Sequence, residues 1–206
     1  SLGVKWAKDL RAEDEPIVID VMPDGISNAH ADLIEHFQRD PRHIKPLRVA
    51  LRNGTWKAYR RWLRPILKRY RKDPWEYYRR NAIPLAAYLE AKRLPTFPSI
   101  DHRELLLSTG KGPSWSTCPA VIELDESFCR LVGYYLSEGC LTEDQSLRVR
   151  FSFHRDEHQY IEDVTNILKR LGVRWSIYHS RQWRASHIKV SSLPFGVLIR
   201  DVLRCG

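Results

Sequence analysis

The stretch Leu131-Val132-Gly133-Tyr134-Tyr135-Leu136-Ser137-Glu138-Gly139 reads as an apolar helix that runs out on an acid and a glycine. Phe128, Leu131, Val132, Tyr135 and Leu136 recur at i, i+3, i+4, i+7 and i+8, the period of one helix face. Asp125 stands where a carboxylate caps the first turn, and Gly139 stands at C′, where glycine commonly ends a helix. Gly133 and Ser137 are small residues one turn apart, which lets a second backbone approach closely. Glu138 breaks the local rule, because a carboxylate at the negative end of the helix dipole is disfavoured by about 0.3–1 kcal/mol. A rule broken inside an otherwise consistent helix marks a candidate functional residue, and a divalent cation would relieve the charge. The bland alternative is a packed helix ending on an exposed acid and a capping glycine.

Downstream, Leu147, Val149, Phe151 and Phe153 alternate with Arg148, Arg150, Ser152 and His154, which predicts a strand over 147–154 with one buried and one basic face. Residues 140–146 leave room for a short strand before it. A helix follows at about 156–171, capped by Asp156, striped by Ile161, Val164, Ile167, Leu168 and Leu171, and ended by Gly172. Residues 173–180 predict a third strand, with Val173, Trp175 and Ile177 on one face. Residues 186–191 predict a fourth, with Ile188 and Val190 opposite His187 and Lys189. Ser192 then caps a last helix with Pro194 in its first turn and Phe195, Leu198, Ile199, Val202 and Leu203 inward. The order αββαββα is complete between about 125 and 206.

The segment around Leu131, Gly133, Leu136, Glu138 and Gly139 resembles the motif of the LAGLIDADG homing endonucleases, and the αββαββα order resembles that family's half-domain. The resemblance implies an α+β fold, here with a basic, mainly helical N-terminal region. It implies a site-specific, divalent-metal-dependent endonuclease that hydrolyses phosphodiester bonds in double-stranded DNA. By the same match Glu138 is the catalytic metal ligand, joined by the Ser137 carbonyl, with Mg²⁺ or another divalent cation as cofactor. One copy of the motif implies a homodimer paired through Leu131, Gly133, Tyr134 and Ser137, or a missing second half. The family often places a lysine after Ser-Ser before the last helix; here that slot is Leu193, and Lys189 is the nearest substitute. Two rivals stand beside this: an RNA maturase, and a non-cleaving DNA-binding regulator that uses the motif for dimerisation.

The polar strand faces suit a DNA reader, since a curved sheet fits the major groove and arginine binds guanine edges. Arg148, Arg150, Ser152, His154, Arg155, Arg174, Ser176 and Lys189 are the candidates, against the ordinary reading of a solvated sheet face. The chain has net charge +9, unevenly spread. Residues 41–80 hold fourteen Lys and Arg against Asp73 and Glu76, whereas residues 1–40 hold nine acids and four bases. A basic block beside an acidic motif suits a protein that grips phosphates and gathers cations at one point.

Within that block residues 55–72 predict a helix with Arg60, Arg61, Arg64, Lys68 and Arg69 on its outer side and Pro65 bending or interrupting it. Residues 74–80 predict a short helix, and Ile83 to Leu94 another that Pro84 begins. Residues 42–95 read either as an accessory DNA-binding module or as a solvated helical bundle. The Pro- and Gly-rich stretch 95–119 reads as a linker, so the expected domains are 1–115 and 116–206. Val4 to Val18 is similar to the segment that follows an intein's N-terminal splicing block, with Ala12-Glu13-Asp14 where Gly-Asp is expected. That resemblance makes the chain the endonuclease region of an intein, with 1–40 intein-derived and splicing by this chain not expected.

Cys118, Cys129, Cys140 and Cys205 have no C-x-x-C spacing, so free thiols are the default. No run reaches transmembrane length and no signal peptide is visible, which predicts no membrane partner and an intracellular, cytoplasmic, prokaryotic protein. One methionine and many Arg and Glu hint at a thermophile.

Overall fold

A computed structural model describes residues 29–71, 73–109, 117–143, 147–180 and 184–205. The intein-like segment Val4–Val18 lies outside them. The motif helix is α5, Glu126–Glu138, and it is capped as its sequence requires: the Asp125 carboxylate accepts the Phe128 N–H at 2.9 Å. Phe128, Leu131 and Tyr135 are its buried residues. Leu136 is not on that stripe. It is 67% exposed, because the core stripe is centred on 128, 131 and 135 and position 136 falls beside it.

Gly139 ends α5 for a different reason from the one its position suggested. Its φ is −95° and its ψ 154°, so it is extended and opens the strand β7, Gly139–Glu143, without a left-handed cap. A Cβ there would lie 2.3 Å from the Tyr135 carbonyl oxygen. Helix passes directly into strand, and only glycine fits the corner.

β7 pairs antiparallel with β8, Leu147–His154, and β8 with β10, Ala185–Val190, which in turn pairs with β9, Ser176–Ser180. The sheet order is thus β7-β8-β10-β9. Leu147, Val149, Phe151, Phe153, Ile188 and Val190 are buried beneath the helices α5, α6 (His158–Arg170) and α7 (Leu193–Val197). Ser192 caps α7 as expected, and α7 widens into a π turn over Leu198–Val202. A Cβ on Gly196 would come within 2.5 Å of Leu147 Cβ, so this glycine sets how closely α7 sits on β8.

Two details differ from expectation. α6 starts after Glu157, and Asp156 is not its cap; the Glu157 carboxylate instead accepts the His154 N–H at 2.7 Å and closes the turn after β8. β9 begins at Ser176, although Val173 is buried, because Gly172 at φ 68° turns the chain and residues 173–175 only lead into the sheet.

The N-terminal region needs a larger correction. It is not mainly helical, and 95–119 is not a linker. β2 (Arg48–Leu51), β3 (Ala82–Pro84), β4 (Leu105–Ser108) and β5 (Thr117–Pro119) form a second antiparallel sheet in the order β3-β2-β4-β5. Leu105, Leu107 and Cys118 within the supposed linker are fully buried. The expected domain boundary falls between β4 and β5, which pair with each other through Leu107 and Cys118. A two-stranded ribbon of β1 (His30–Asp32) and β6 (Val121–Glu123) leads into α5, with α1 (Leu33–Arg39) starting from it.

The helices α2 (Arg60–Tyr70), α3 (Trp75–Arg79) and α4 (Leu85–Lys92) complete this half. Pro65 sits inside α2 without interrupting it. α4 begins only after the β3 strand, whose Ile83 is buried in the sheet. Trp56 is fully buried, its Nε1–H donating to the Val49 carbonyl at 3.0 Å. It packs on Tyr59 and Tyr88, so most aromatics of the basic block are core. Buried residues of both halves form one cluster.

Candidate nucleic-acid interface and metal-binding acid

The open face of the β7-β8-β10-β9 sheet carries the polar set that strand alternation placed there. Register turns it into rows. Cys140 faces Arg150, Arg150 faces Lys189, and Lys189 faces Ser176. In the next row Ser152 faces His187 and His187 faces Tyr178. Ser152 Oγ and His187 Nδ1 are hydrogen-bonded at 2.9 Å, and the Tyr178 ring stacks on the imidazole at 4.7 Å and 29°. Burial and the neighbouring Arg150 charge hold the His187 pKa below 6.5. Arg150 and Lys189 meet no acid among the described residues.

His187 and Tyr178 were not among the sequence candidates, yet the same alternation that selected Ser152 and Lys189 places them on this face. Ser176 opens β9 in register with Lys189, and Arg174 is exposed just before it. Arg148 lies on the same face beside Thr142. His154 and Arg155 stand at the end of β8, where both reach Asp156 at 3.5 Å, so part of their charge is already answered.

Glu138 is the last residue of α5 and is exposed. Because Gly139 pairs with Phe151, the acid stands at the corner where helix meets sheet, beside the polar rows. Its carboxylate has no hydrogen-bond or ion-pair partner among the described residues. The Ser137 hydroxyl donates to the Gly133 and Tyr134 carbonyls, both at 3.3 Å. Carboxylate and carbonyl oxygens are the hard donors that Mg²⁺ takes, but Mg²⁺ has an octahedral shell, and one chain supplies only this pair. No group of three or more His, Cys, Asp or Glu is placed to hold a metal among the described residues. The donors fit the ion by type and call for more oxygen from water, phosphate or a second helix. Lys189 lies across the sheet from Glu138 on another strand.

The four residues expected at a helix–helix contact divide. Gly133 and Ser137 are exposed, and nothing lies within 4 Å of a Cβ built on Gly133. Leu131 is fully buried in the chain's own core. Tyr134 packs on Phe153 and Tyr160 and donates its hydroxyl to Asp163 at 3.0 Å. Asp163 also takes a two-pronged bond from Arg130, at 3.1 Å on each oxygen, which pins α5 to α6 and draws the Asp163 pKa down. Leu131 and Tyr134 therefore serve packing within the chain, and the open face of α5 is Gly133, Ser137 and the unforeseen Leu136.

In the other half, Arg60, Arg61, Arg64 and Lys68 are all exposed along α2, with the Arg61 guanidinium 3.7 Å over the Trp62 ring. Arg69 leaves this set: it pairs with Glu90 of α4.

The 125–200 region is thus an α+β unit whose antiparallel sheet has one face under helices and one open and basic. Residues 125–200 are a LAGLIDADG-like domain, the family model that matches this stretch. An uncharacterized protein of Methanocaldococcus jannaschii is 37% identical over 107 residues, 48% of this chain and 12% of that protein. A DNA polymerase of Pyrococcus horikoshii is 30% identical over 74 residues, 36% of this chain and 5% of the polymerase. An iron-sulfur cluster assembly SufBD family protein of Mycobacterium tuberculosis is 52% identical over 46 residues, 21% of this chain and 5% of that protein. The chain spans about an eighth or less of the length of these relatives. No solved structure matches it with significance. No helix among the described residues is long and apolar enough to cross a membrane.

Proposed function

We propose that this chain is a site-specific, divalent-metal-dependent endonuclease acting on double-stranded DNA, and that it is the endonuclease region of an intein. The observation that carries the first part is the open sheet face. It sets the unpaired cations Arg150 and Lys189 in one row and the ordered Ser152–His187–Tyr178 row beside it, with the lone acid Glu138 at the corner. The intein reading is supported by the relatives: short segments of similar sequence recur inside proteins with unrelated names, a DNA polymerase and a SufBD family protein among them. An inserted element leaves that pattern.

In this reading DNA lies on the sheet, and Arg148, Arg150, Ser152, Ser176, His187 and Lys189 meet base edges and phosphates. Glu138 and the Ser137 carbonyl hold the cation at the scissile phosphate. Once bound, a divalent cation activates water and steadies the leaving oxygen. Lys189 offsets charge on the phosphate as the P–O bond breaks. A second motif helix packs on Gly133, Leu136 and Ser137 and brings a second Glu138, which makes the working unit a homodimer.

The test is a randomised duplex library incubated with the protein and Mg²⁺, with the cut ends sequenced. Wild type should cut a restricted set of sequences and lose cutting in EDTA. Glu138→Gln should still bind but cut at least about 10²-fold more slowly, the size of effect that loss of one charge-stabilising group produces. Equal cutting by wild type and Glu138→Gln sinks the assignment of the acid. Binding without cutting by the wild type would leave a DNA-binding regulator.

A further inference from the structure

A groove between α2 and α3 is lined by Arg60, Arg64, Lys68 and Arg71 on one side and Trp75 and Tyr78 on the other. Tyr78 is only 6% exposed, and its hydroxyl is buried with no hydrogen-bond partner. A buried hydroxyl left unmatched costs about 1–3 kcal/mol, and each one in a folded protein calls for an explanation. The ring itself explains the burial, because it packs beneath α2; it does not explain why an oxygen is kept on it. The charges nearest that hydroxyl are Arg60 and Arg64, which oppose the rise that burial imposes on its pKa. A donor with no acceptor, beside two guanidinium groups, is short of an anion.

The remaining lining residues agree. Arg60, Arg64 and Lys68 meet no acid among the described residues, whereas Arg71 reaches Glu76 at 4.0 Å. Asp73 also lines the groove, but its carboxylate is occupied by the Trp75 N–H at 2.9 Å, where it caps α3. Trp75 is 49% exposed at the rim, with the Lys57 ammonium 5.7 Å from its ring centre. An apolar ligand would leave three cations bare, and a carboxylate has one oxygen too few to meet two guanidinium groups and a hydroxyl together. A phosphodiester, with two charged oxygens and two bridging ones, matches the set.

We propose that this groove is a second DNA anchor that takes one backbone phosphate of the duplex, outside the stretch held on the sheet, with the Tyr78 hydroxyl donating to a phosphate oxygen between Arg60 and Arg64. The assignment rests on the DNA reading above for the identity of its ligand. Arg60 and Arg64 open outward to admit the phosphate, which exposes the hydroxyl beneath them. The anchor is blind to sequence, since phosphates position a protein on DNA without reporting bases.

The experiment is a binding titration of the full chain with a mixed-sequence DNA duplex in EDTA at rising KCl. It uses wild type, Tyr78→Phe, the pair Arg60→Ala/Arg64→Ala, and the sheet pair Arg150→Ala/Lys189→Ala, with thermal unfolding of each. Tyr78→Phe keeps the ring, so its melting temperature should hold or rise, while affinity falls about tenfold with loss of a hydrogen bond to a charged group. The Arg60/Arg64 variant should bind more weakly and lower the slope of log affinity against log salt by about 1 for each cation removed. Wild-type affinity and slope in both groove variants, with the sheet variant weakened, overturns the anchor and leaves the function above standing. Weakened groove variants with an unchanged sheet variant support the anchor and overturn the sheet as the DNA surface. Tighter binding of single-stranded RNA than of duplex, lost in Tyr78→Phe, overturns duplex DNA as the groove's ligand.

Discussion

On α2 the cations follow one another along a helix; on the sheet they stand side by side across strands. Arg60, Arg64 and Lys68 advance one turn at a time on flexible stems that reach into solvent. Arg150 and Lys189 are held in register on neighbouring strands, flanked by a histidine fixed by a hydrogen bond to Ser152 and by the stacked Tyr178 ring. The first arrangement delivers charge but tolerates many positions of its partner. The second fixes donors and acceptors on a pleated lattice, where opposite Cβ atoms are about 4.5–5.5 Å apart. Base-edge recognition needs fixed geometry, and phosphate neutralisation does not. The same residue types therefore divide into a part that positions and a part that specifies.

Removing Arg150 should break this division most visibly if it is real. Arg150→Ala is expected to lower affinity for the preferred DNA sequence by about 1–3 kcal/mol and to relax preference at one or two base pairs. The α2 variants should weaken all sequences alike. The measurement is selection of bound sequences from a randomised pool for each variant. An unchanged sequence profile for Arg150→Ala, or a changed one for Arg64→Ala, would erase the distinction between the two surfaces.

How far each surface was legible follows from its geometry. β8 announced itself because eight residues alternate without a break over a buried face. Its neighbours β9 and β10 were found for the same reason, with boundaries off by a few residues. β3, β4 and β5 were missed because strands of three or four residues are too short to show a period. Their partners are also distant, as when Val49 pairs with Leu107, and the Pro and Gly residues around them read as linker. Leu136 was misplaced because an apolar period in a helix does not say which of two adjacent apolar strips faces the core. The tyrosine at 78 was visible as an aromatic in a basic block, but an unpartnered hydroxyl is a tertiary fact. Pattern shows which residues share a face; packing decides what that face lacks.

A pH titration sharpens the comparison through His187. Its pKa lies below 6.5 in the free protein because of burial and the Arg150 charge, so at neutral pH the ring is neutral. The sign for folding follows directly. A depressed histidine favours the folded state above about pH 6.5, where neither state is protonated, and this contribution is lost as pH falls through the folded pKa. DNA reverses the local field, since phosphates favour the charged ring. Binding should therefore take up a proton, and affinity should rise as pH drops from 7.5 to 5.5, by at most about tenfold for a shift of one pKa unit. The groove on α2 has Arg, Lys and Tyr facing its ligand and adds nothing in that range. His187→Gln should flatten the affinity profile; an unchanged slope in that variant would remove His187 from the interface.

The smallest effect concerns the free protein. Arg150 and Lys189 are directly opposite on adjacent strands, and like charges so placed are destabilising. No acid among the described residues answers either of them. Lys189→Thr removes one charge and substitutes a β-branched residue that suits a strand. It should stabilise the protein without DNA by about 0.2–1 kcal/mol, the span of cross-strand pair effects, read as a higher denaturation midpoint in urea at unchanged slope. High salt should shrink the gain, because ions screen the repulsion that the substitution removes. With DNA present the order should invert, since the phosphates that made the pair tolerable lose a partner. A pair that costs stability alone and repays it only on an anionic partner is what separates a binding face from a solvated one. If Lys189→Thr lowers stability and leaves DNA affinity intact, the row is an ordinary part of the sheet, and α2 becomes the main DNA surface of the molecule.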